Sequence, residues 1–441
     1  MPNIPLLGGE KKRINCLKAV FNHKYTVYKQ LILVNQMVMP MLVRHRGTVM
    51  RSGLASVATL SELRIWTSAI FRHPSNRMNT SGRTLHLRLP HKKPEVRVPG
   101  PEDEIKESEF PAQIVLLHLS DIHFRKDRAG DPHDPDADLR NELERDLRTI
   151  RTTLVQRVDG IIVSGDIAFG GQPEEFEFAE GWLERLRELI DCPKDSIMVS
   201  PGNHDVDRSV IPQGGEIDLL HEEIRSAADL QTRDERIAAI LRDGEKGEKM
   251  FKPMEAYNAF AQKYGCSVTA ARPYWERDFQ LARSVVLRIR GMTSTLVSSP
   301  RDNEQTHKLV YGAAQRTLLR IDDVFRMVVG HHPPSWTMEG DEADRIFGER
   351  SVIQLFGHKH ESWFRRIGCG IRVIAGAVHP DRAEHHWEPR YSLIALRLDD
   401  DGRLHIRVYP RVWKREEMIF MADINSKYHD YRDHTVERER N

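Results

Sequence analysis

The sequence lacks the long apolar runs of a membrane protein and the paired cysteines of a disulfide-stabilised or zinc-finger protein. No apolar run reaches the ~18–20 residues that a membrane-spanning helix needs, and the longest candidate, residues 31–43, contains Asn35, Gln36 and Pro40. The four cysteines are far apart and form no CxxC pair, so neither a small disulfide framework nor a zinc finger is expected. A soluble protein of the reducing cytoplasm is the simplest expectation.

Acidic residues are scarce in the first part of the chain. Residues 1–94 contain 16 Lys and Arg against only Glu10 and Glu62, whereas the remaining 347 residues contain 50 basic and 63 acidic side chains. The formal net charge of +1 therefore conceals a basic region followed by an acidic one. Such asymmetry predicts two regions with different tasks.

Residues 1–110 show no lasting hydrophobic periodicity. Their last third is rich in Pro, Ser and Asn and runs into the acidic stretch PEDEIKESE, a composition typical of a linker. We interpret residues 1–110 as a basic, disordered extension and linker. This interpretation includes the case in which the start of the protein is misassigned and the extension is upstream sequence. An arm that binds nucleic acid or another anionic surface and an organelle transit segment are alternatives, and nucleic acid is not the favoured partner.

From residue 111 onward, short apolar runs alternate with helix-like segments. The runs at 114–117, 160–163 and 196–199 each stop where polar residues begin. This rhythm predicts buried strands with helices on the faces of the sheet. Further strands are predicted at 284–289, 325–329, 351–356, 371–374, 391–398 and 404–409. The charged residues 208–275 predict an inserted helical cap in a domain spanning 111–424, and residues 425–441 a polar tail.

Five polar clusters stand at the ends of predicted strands. They are DIH at 121–123, GD at 165–166, GNHD at 202–205, GHH at 330–332 and GHKH at 357–360. Asp, Asn and His suit Mn, Fe or Zn rather than thiolate-selective metals. Residues i and i+2 can point the same way on extended or turning backbone, and we expect the glycines to allow a sharp turn. Each cluster alone is weak evidence for a metal site, but the ordered series of five predicts one shared metal site at the carboxyl ends of strands.

This ordered series resembles the calcineurin-like metallophosphoesterase superfamily over about residues 114–360. The segments LHLSDIHF, SGDIAFGGQPEEFEFA, VSPGNHDVDR and LFGHKHE are similar to the branch that includes bacterial class III cyclic-nucleotide phosphodiesterases. The resemblance implies an α/β fold, a four-layer αββα sandwich with a helical insertion. It also implies two transition-metal ions, Mn, Fe or Zn, at the strand ends.

The resemblance further implies a role for each residue of the clusters. One metal would be held by Asp121, His123, Asp166 and His360, and the second by Asp166 as a bridging ligand together with Asn203, His331 and His358. His204 matches the family's catalytic histidine, and Asp205 or another nearby acid is expected to hold it. His332 is expected in the pocket wall, and His332 and Arg208 are candidates for substrate contacts.

The function expected from these residues is hydrolysis of a phosphate ester at a dinuclear centre, with a bridging hydroxide as the nucleophile. His204 is expected to protonate the leaving group. A phosphodiesterase that acts on nucleotides or cyclic nucleotides is the first choice. A phosphoprotein phosphatase and a nuclease are alternatives among hydrolases, and a metal-binding regulatory module without turnover is the alternative from another class.

Overall fold

The computed structural model describes residues 113–128, 131–155, 157–383, 387–423 and 432–436. The predictions for residues 1–110 lie outside them. The strands are β1 (Ile114–Leu119), β2 (Gly160–Val163), β3 (Ile197–Val199), β4 (Tyr274–Ala282), β5 (Val285–Met292), β6 (Val324–Val329), β7 (Ile353–Phe356), β8 (Trp363–Ile367), β9 (Gly370–Ile374), β10 (Arg390–Leu398), β11 (Leu404–Lys414), β12 (Ile419–Ala422) and β13 (Arg432–Val436). The α-helices are α1 (Ala137–Thr153), α2 (Pro173–Ile190), α3 (Glu216–Arg225), α4 (Leu230–Arg242), α5 (Gly244–Phe251), α6 (Glu255–Gln262), α7 (Ala313–Arg316) and α8 (Gly340–Arg350).

The strands form two mixed sheets. The first has the order β12-β11-β10-β1-β2-β3, with β13 also paired to β11, and the second has the order β4-β5-β6-β7-β9-β8. Strands β1, β2 and β3 run parallel to one another, as do β5, β6, β7 and β9. The carboxyl ends of the parallel strands in each sheet therefore lie along one edge of that sheet.

Helices cover the outer faces of both sheets, which gives the predicted four-layer α/β sandwich. The apolar stripe of α1, with Leu139, Leu143 and Leu147, belongs to one large buried cluster with β1, β2 and β3. A smaller cluster joins Phe347 of α8 to Phe356 of β7 on the second sheet. Strands buried on both faces can be apolar throughout, and every residue of β1, β2 and β3 is buried.

The segment with the predicted insertion is helical and contains α3 to α6. Helix α6 is tied into the main core, because Tyr257 is fully buried and donates a hydrogen bond to the carbonyl of Val199 at 3.0 Å. The Nε1 of Trp275 donates to the same carbonyl at 2.7 Å. Both bonds fix the end of β3, from which the GNHD segment starts. Within the described residues, no helix combines the length and apolar character needed to cross a membrane.

Part of the predicted polar tail is a strand. Residues 432–436 pair antiparallel with β11, from Leu404 opposite Val436 to Val408 opposite Arg432. Val436 is buried, and Asp433 forms an ion pair with Arg407 on the neighbouring strand at 2.7 Å. The prediction of a tail without secondary structure is wrong for these five residues. Because this edge strand is mostly polar, its sequence resembles that of a loop, and only its pairing with β11 identifies it as a strand.

Candidate metal centre

The five polar clusters meet where the carboxyl ends of strands from both sheets come together. The DIH, GD and GNHD segments follow β1, β2 and β3 of the first sheet, and the GHH and GHKH segments follow β6 and β7 of the second. Two hydrogen bonds cross between the sheets at this point. The backbone N–H of His358 donates to Asp121 Oδ2 at 3.2 Å, and Nδ1 of His331 donates to the carbonyl of Ser164 at 2.9 Å.

Several of the predicted ligands have left-handed backbone conformations, which are uncommon outside glycine and several-fold enriched in Asp, Asn and His. Each such residue costs of order 1–3 kcal/mol, and such residues cluster at functional sites. The neighbouring backbone holds this geometry, since the N–H groups of Ile122 and His123 both donate to the Asp166 carbonyl, at 2.8 and 3.0 Å. The residues and their φ angles are Asp121 (54°), His123 (53°), Asp166 (53°), His358 (70°) and His360 (52°).

The first predicted ligand set is assembled in the structure. The ligand atoms of Asp121, His123 and His360 all lie within 4.8 Å of one another. Nε2 of His360 is 3.2 Å from Asp121 Oδ1, and Nε2 of His123 is 4.0 Å from Asp166 Oδ2. Asp166 therefore borders this set, as the bridging assignment requires.

The second set lies on the other side of Asp166. Nε2 of His331 is 3.1 Å from Asp166 Oδ2, and the ligand atoms of His331, His332 and His358 lie within 4.8 Å of one another. Asn203 starts the short helical turn Asn203–Asp205, and its buried Oδ1 accepts no hydrogen bond from the described residues. Because a buried oxygen acceptor without a donor is costly, a cation is the partner that this oxygen lacks.

The charges of the centre also fit cations. Asp121 and Asp166 are buried, and although burial raises their pKa values, the neighbouring histidines outweigh it and hold both below the usual range. Burial lowers the pKa of His123 to about 4 and that of His358 to about 3, so both rings are neutral at pH 7. Neutral imidazoles and ionised carboxylates are the forms that bind metals.

The pKa of His331 is also set by the charges of the centre. Burial alone lowers its pKa, but the carboxylates of Asp166 and Asp121 outweigh burial and raise the pKa to about 9. A positive charge between the two carboxylates is therefore favourable. The donor set of Asp, Asn and His, without thiolates, suits borderline transition metals.

His204 lies beside this donor set, and its ring is held by a backbone carbonyl. Its Nδ1 donates to the backbone carbonyl of Phe169 at 2.7 Å, its ring lies 4.8 Å from that of His123, and its backbone N–H donates to Asp166 Oδ1 at 2.8 Å. Asp205 does not hold the ring, and the nearby acid Asp166 holds His204 through the backbone N–H of His204 instead. The carboxylate of Asp205 is fully buried and accepts backbone N–H groups instead, those of Ile167 (2.9 Å), Ala168 (2.8 Å) and Gly202 (2.8 Å).

His332 lies on the side of the centre formed by His358. The ring of His332 is 4.3 Å from that of His358, and its Nδ1 is 2.7 Å from Ser294 Oγ. Burial is the main reason that the pKa of His332 is well below its usual value, and the neighbouring His358 lowers it further. Neither Nε2 of His332 nor Nε of Arg208, both buried, has a hydrogen-bond partner among the described residues.

Three side chains at the rim of the centre were not predicted as site residues. The ring of Trp336 lies 4.0 Å from that of the ligand candidate His358. Near His204, the ring of Phe169 lies 5.2 Å from the histidine ring. The guanidinium carbon of Arg125 lies 4.0 Å above the centre of the Phe169 ring. No spacing in the sequence links these residues, and only the position of Arg125 directly after DIHF marks it.

The family model described as calcineurin-like phosphoesterase matches residues 114–362, which include every predicted metal ligand. The chain belongs to this family. The family is named for action on phosphate esters. In this chain, the His and Asp clusters described above are the candidate metal-binding residues.

Two relatives agree with this membership. The chain is 31% identical over 97 residues to the glycerophosphodiester phosphodiesterase GpdQ of Enterobacter lignolyticus, a match covering 21% of this chain and 30% of that protein. It is 21% identical over 320 residues to the uncharacterized metallophosphoesterase-like protein YydB of Bacillus subtilis, covering 69% of this chain and 60% of that one. The chain thus spans less than two thirds of the length of both relatives.

Two similar solved structures come from yellow lupin and from Staphylococcus aureus. The purple acid phosphatase PPD1 of yellow lupin matches with a TM-score of 0.35 and 10% identity, over 67% of this chain and 51% of that one. A putative 5'-nucleotidase of Staphylococcus aureus matches with a TM-score of 0.34 and 12% identity, over 66% of this chain and 52% of that one.

Proposed function

We propose that this phosphoesterase hydrolyses phosphodiesters at a dinuclear metal centre and that its substrates are nucleotides or cyclic nucleotides. One observation carries the dinuclear assignment. The carboxylate of Asp166 lies between two ligand sets, 4.0 Å from His123 Nε2 on one side and 3.1 Å from His331 Nε2 on the other. A shared carboxylate is the feature that a two-metal site requires and a single-metal site does not.

In this proposal, two transition-metal ions (Mn, Fe or Zn) are held by the predicted ligands. When bound, the ions would supply positive charge for the phosphoryl oxygens and make hydroxide available near neutral pH. The first ion would take Asp121, His123, Asp166 and His360, and the second Asp166, Asn203, His331 and His358.

His204 is assigned the role of general acid toward the leaving group. Because the carbonyl of Phe169 accepts a hydrogen bond from Nδ1, Nε2 is the ring nitrogen left for the substrate. Nε2 carries the transferable proton when the ring is protonated, and an imidazole is suited to such a transfer near neutral pH. Asp205 acts in this scheme by holding the backbone that follows Asp166, and not through His204.

The opposite side of the centre is assigned to the part of the substrate that stays on phosphorus. His332 and Arg208 each have a buried side-chain nitrogen without a hydrogen-bond partner among the described residues. Trp336 adds an aromatic ring against His358, a surface suited to a nucleobase. The diesterase activity named for the GpdQ relative supports a diester as the substrate.

The proposal is tested with the full chain, reconstituted with manganese, on bis-p-nitrophenyl phosphate and p-nitrophenyl phosphate. We expect faster turnover of the diester. Faster turnover of the monoester would favour the phosphatase alternative. Cleavage of oligonucleotides in preference to nucleotides would favour a nuclease, and no hydrolysis of any ester by the metal-loaded chain would favour the regulatory module.

Variants separate metal binding from proton transfer. His204→Ala is expected to keep both metals and lose most turnover, roughly 100-fold or more, because general acid catalysis contributes that much. Asp166→Ala is expected to lose metal and activity together. Metal analysis of the purified variants checks both expectations, and full metal occupancy in Asp166→Ala would disprove the bridging role.

The cytoplasmic location expected from the sequence remains a proposal. Cys192 and Cys266 are buried free thiols. Free thiols are compatible with a reducing compartment.

A further inference from the structure

Phe169 is an aromatic side chain that stays exposed at the mouth of the centre. It is 40% exposed, although the backbone that carries it is held firmly. Its N–H donates to the carbonyl of Phe124 at 2.9 Å, and its own carbonyl accepts from His204 Nδ1 at 2.7 Å. Phe169 is therefore exposed although hydrogen bonds hold its backbone in place beside His204.

Arg125 is stacked on this ring. Its guanidinium carbon lies 4.0 Å above the ring centre, a distance at which the ring face attracts a cation. Its Nε donates to Asp127 Oδ1 at 3.2 Å, which fixes the rotation of the guanidinium plane. Within the described part of the chain, the side chain of Arg125 forms no other hydrogen bond or ion pair, so its two terminal amino groups remain available for a ligand.

The surroundings of Arg125 favour an anion as that ligand. Residues 125–128 contain three basic side chains and one acidic side chain. The acidic one, Asp127, has 63% of its side chain exposed, so water screens its charge. Arg128 lies near another acid, Asp136, at 3.8 Å. Arg125 therefore presents positive charge in a planar form that suits carboxylate or phosphate groups.

The stacked pair of Arg125 and Phe169 lies on the side of the centre that is assigned to the leaving group. The ring of Phe169 is 5.2 Å from His204 and 6.3 Å from His123. If His204 protonates the leaving oxygen, as the proposed function holds, the leaving group emerges on this side of the centre. The opposite side, with His332 and Trp336, faces the group that stays on phosphorus.

We propose that Arg125, held by Phe169, is a specificity-determining residue that binds a negative charge on the leaving group. This inference rests on the proposed function, because it uses the assignment of His204 as the acid. The preferred substrates are then phosphate esters whose leaving alcohol carries its own carboxylate or phosphate. Phe169 acts as a positioning residue that holds the guanidinium in place.

The test uses two methyl aryl phosphates that differ only in the leaving phenol. One phenol carries a meta carboxylate and the other a meta carboxamide of the same shape. With the metal-loaded full chain at low salt, we expect kcat/KM to favour the carboxylate by about tenfold, the effect of one hydrogen-bonded charge pair. Arg125→Gln should bring the ratio of the two values close to one, and Phe169→Leu should reduce it partly.

Arg128→Gln is the matched control, because it removes a neighbouring charge that lies near Asp136 and not on Phe169. It should keep the wild-type ratio. Equal kcat/KM values for the two esters in the wild type would overturn the leaving-group site while the proposed function stands. An equal loss on both esters in Arg125→Gln, with the ratio kept, would also overturn it, since Arg125 would then act on the phosphoryl group itself.

Failure of the proposed function looks different. If the metal-loaded wild type hydrolyses neither ester, the proposed function fails and the leaving-group site falls with it. Thermal melting of each variant shows whether it is folded. Should Arg125→Gln not fold, Phe169→Leu and Arg125→Lys replace it. Both weaken the planar stack while keeping the positive charge, and an unchanged ratio in both would contradict the proposal.

Discussion

Asp166 makes the largest number of the contacts that define the centre. Its carboxylate borders both ligand sets, its Oδ1 accepts the backbone N–H of His204, and its carbonyl accepts two N–H groups from the DIH turn. Its left-handed backbone, with φ at 53°, directs these groups to different neighbours. A residue with so many constraints tolerates little change in the atoms around it.

Gly202 is one such neighbour. A methyl group at this position would lie 2.1 Å from Asp166 Oδ1 and 2.4 Å from its backbone nitrogen, so the carboxylate or its backbone would have to move. We expect Gly202→Ala to lose metal and to lower turnover roughly 100-fold or more, because misplaced catalytic geometry has effects of that size. Metal analysis and the diester assay check this expectation.

The matched control is Gly181→Ala in the exposed part of α2. A methyl group there would meet no atom within 4 Å, and alanine is favoured over glycine in a helix by about 1 kcal/mol. This variant should be slightly more stable and equally active. Full metal occupancy in Gly202→Ala would show that the loop adapts, contrary to our expectation.

The candidate ligands could be named from the sequence, because Asp, Asn and His stand in fixed order after apolar runs. Their surroundings could not. The carbonyl of Phe169, and not Asp205, holds the ring of His204, and the role of glycine differs between clusters. Gly165 has a φ of 100°, as the expected sharp turn requires, whereas Gly202 has an ordinary φ of −104° and is needed for space. Such contacts depend on packing between distant segments, which spacing along the chain does not show.

At the scale of elements, the strands that surround the centre were the easiest to predict. They are buried on both faces and therefore apolar without interruption. Strands β4 and β8 escaped prediction because they lie at the edges of the second sheet and contain charged residues among the apolar ones. Edge strands are half exposed, so composition separates them poorly from loops.

Helix α3 contains a buried histidine that makes the stability of this element sensitive to acid. His221 is 1% exposed, and neither ring nitrogen has a hydrogen-bond partner among the described residues. Burial, aided by the charge of Arg225, lowers its pKa to about 3. Between the ordinary pKa of about 6.5 and about 3, the unfolded chain binds a proton at this position and the folded chain does not. Stability is therefore lost as the pH falls through this window.

We expect His221→Gln to weaken this acid sensitivity. The slope of the unfolding free energy against pH should decrease between pH 6.5 and 4 by up to about 1.4 kcal/mol per pH unit, the value for one proton. Urea unfolding at a series of pH values measures the slope. His405→Gln serves as the control, because His405 is a half-exposed residue paired with Asp399. An unchanged slope in His221→Gln would mean that the buried ring is accommodated in its charged form.

At the scale of the whole molecule, the centre joins the two sheets. The ligands after β1, β2 and β3 come from the first sheet and those after β6 and β7 from the second. Hydrogen bonds such as those from His358 to Asp121 and from His331 to Ser164 also connect the two sheets directly, beside their shared apolar core. Cations bound by both groups of ligands would therefore stabilise the sandwich as a unit.

Removal of the metal is expected to lower the melting temperature of the described domain by several degrees. A ligand present at 100 times its dissociation constant stabilises the folded state by about 2.7 kcal/mol, and each kcal/mol shifts the melting temperature of a large domain by about 2–4 °C. Calorimetry with and without a chelator measures the shift. Asp166→Ala should show little response to the chelator, and an equal response in that variant would assign the effect to another metal.

The same division of ligands between two sheets has a consequence for the rates of folding and unfolding. Neither sheet holds a complete ligand set by itself, so the centre exists only after the two have docked. If the two sheets dock after the rate-limiting step of folding, a cation stabilises the native state and not the transition state. Interactions of that kind slow unfolding and leave the folding rate almost unchanged. The metals would thus act on the lifetime of the folded enzyme, and the chain would reach its fold before it becomes a catalyst.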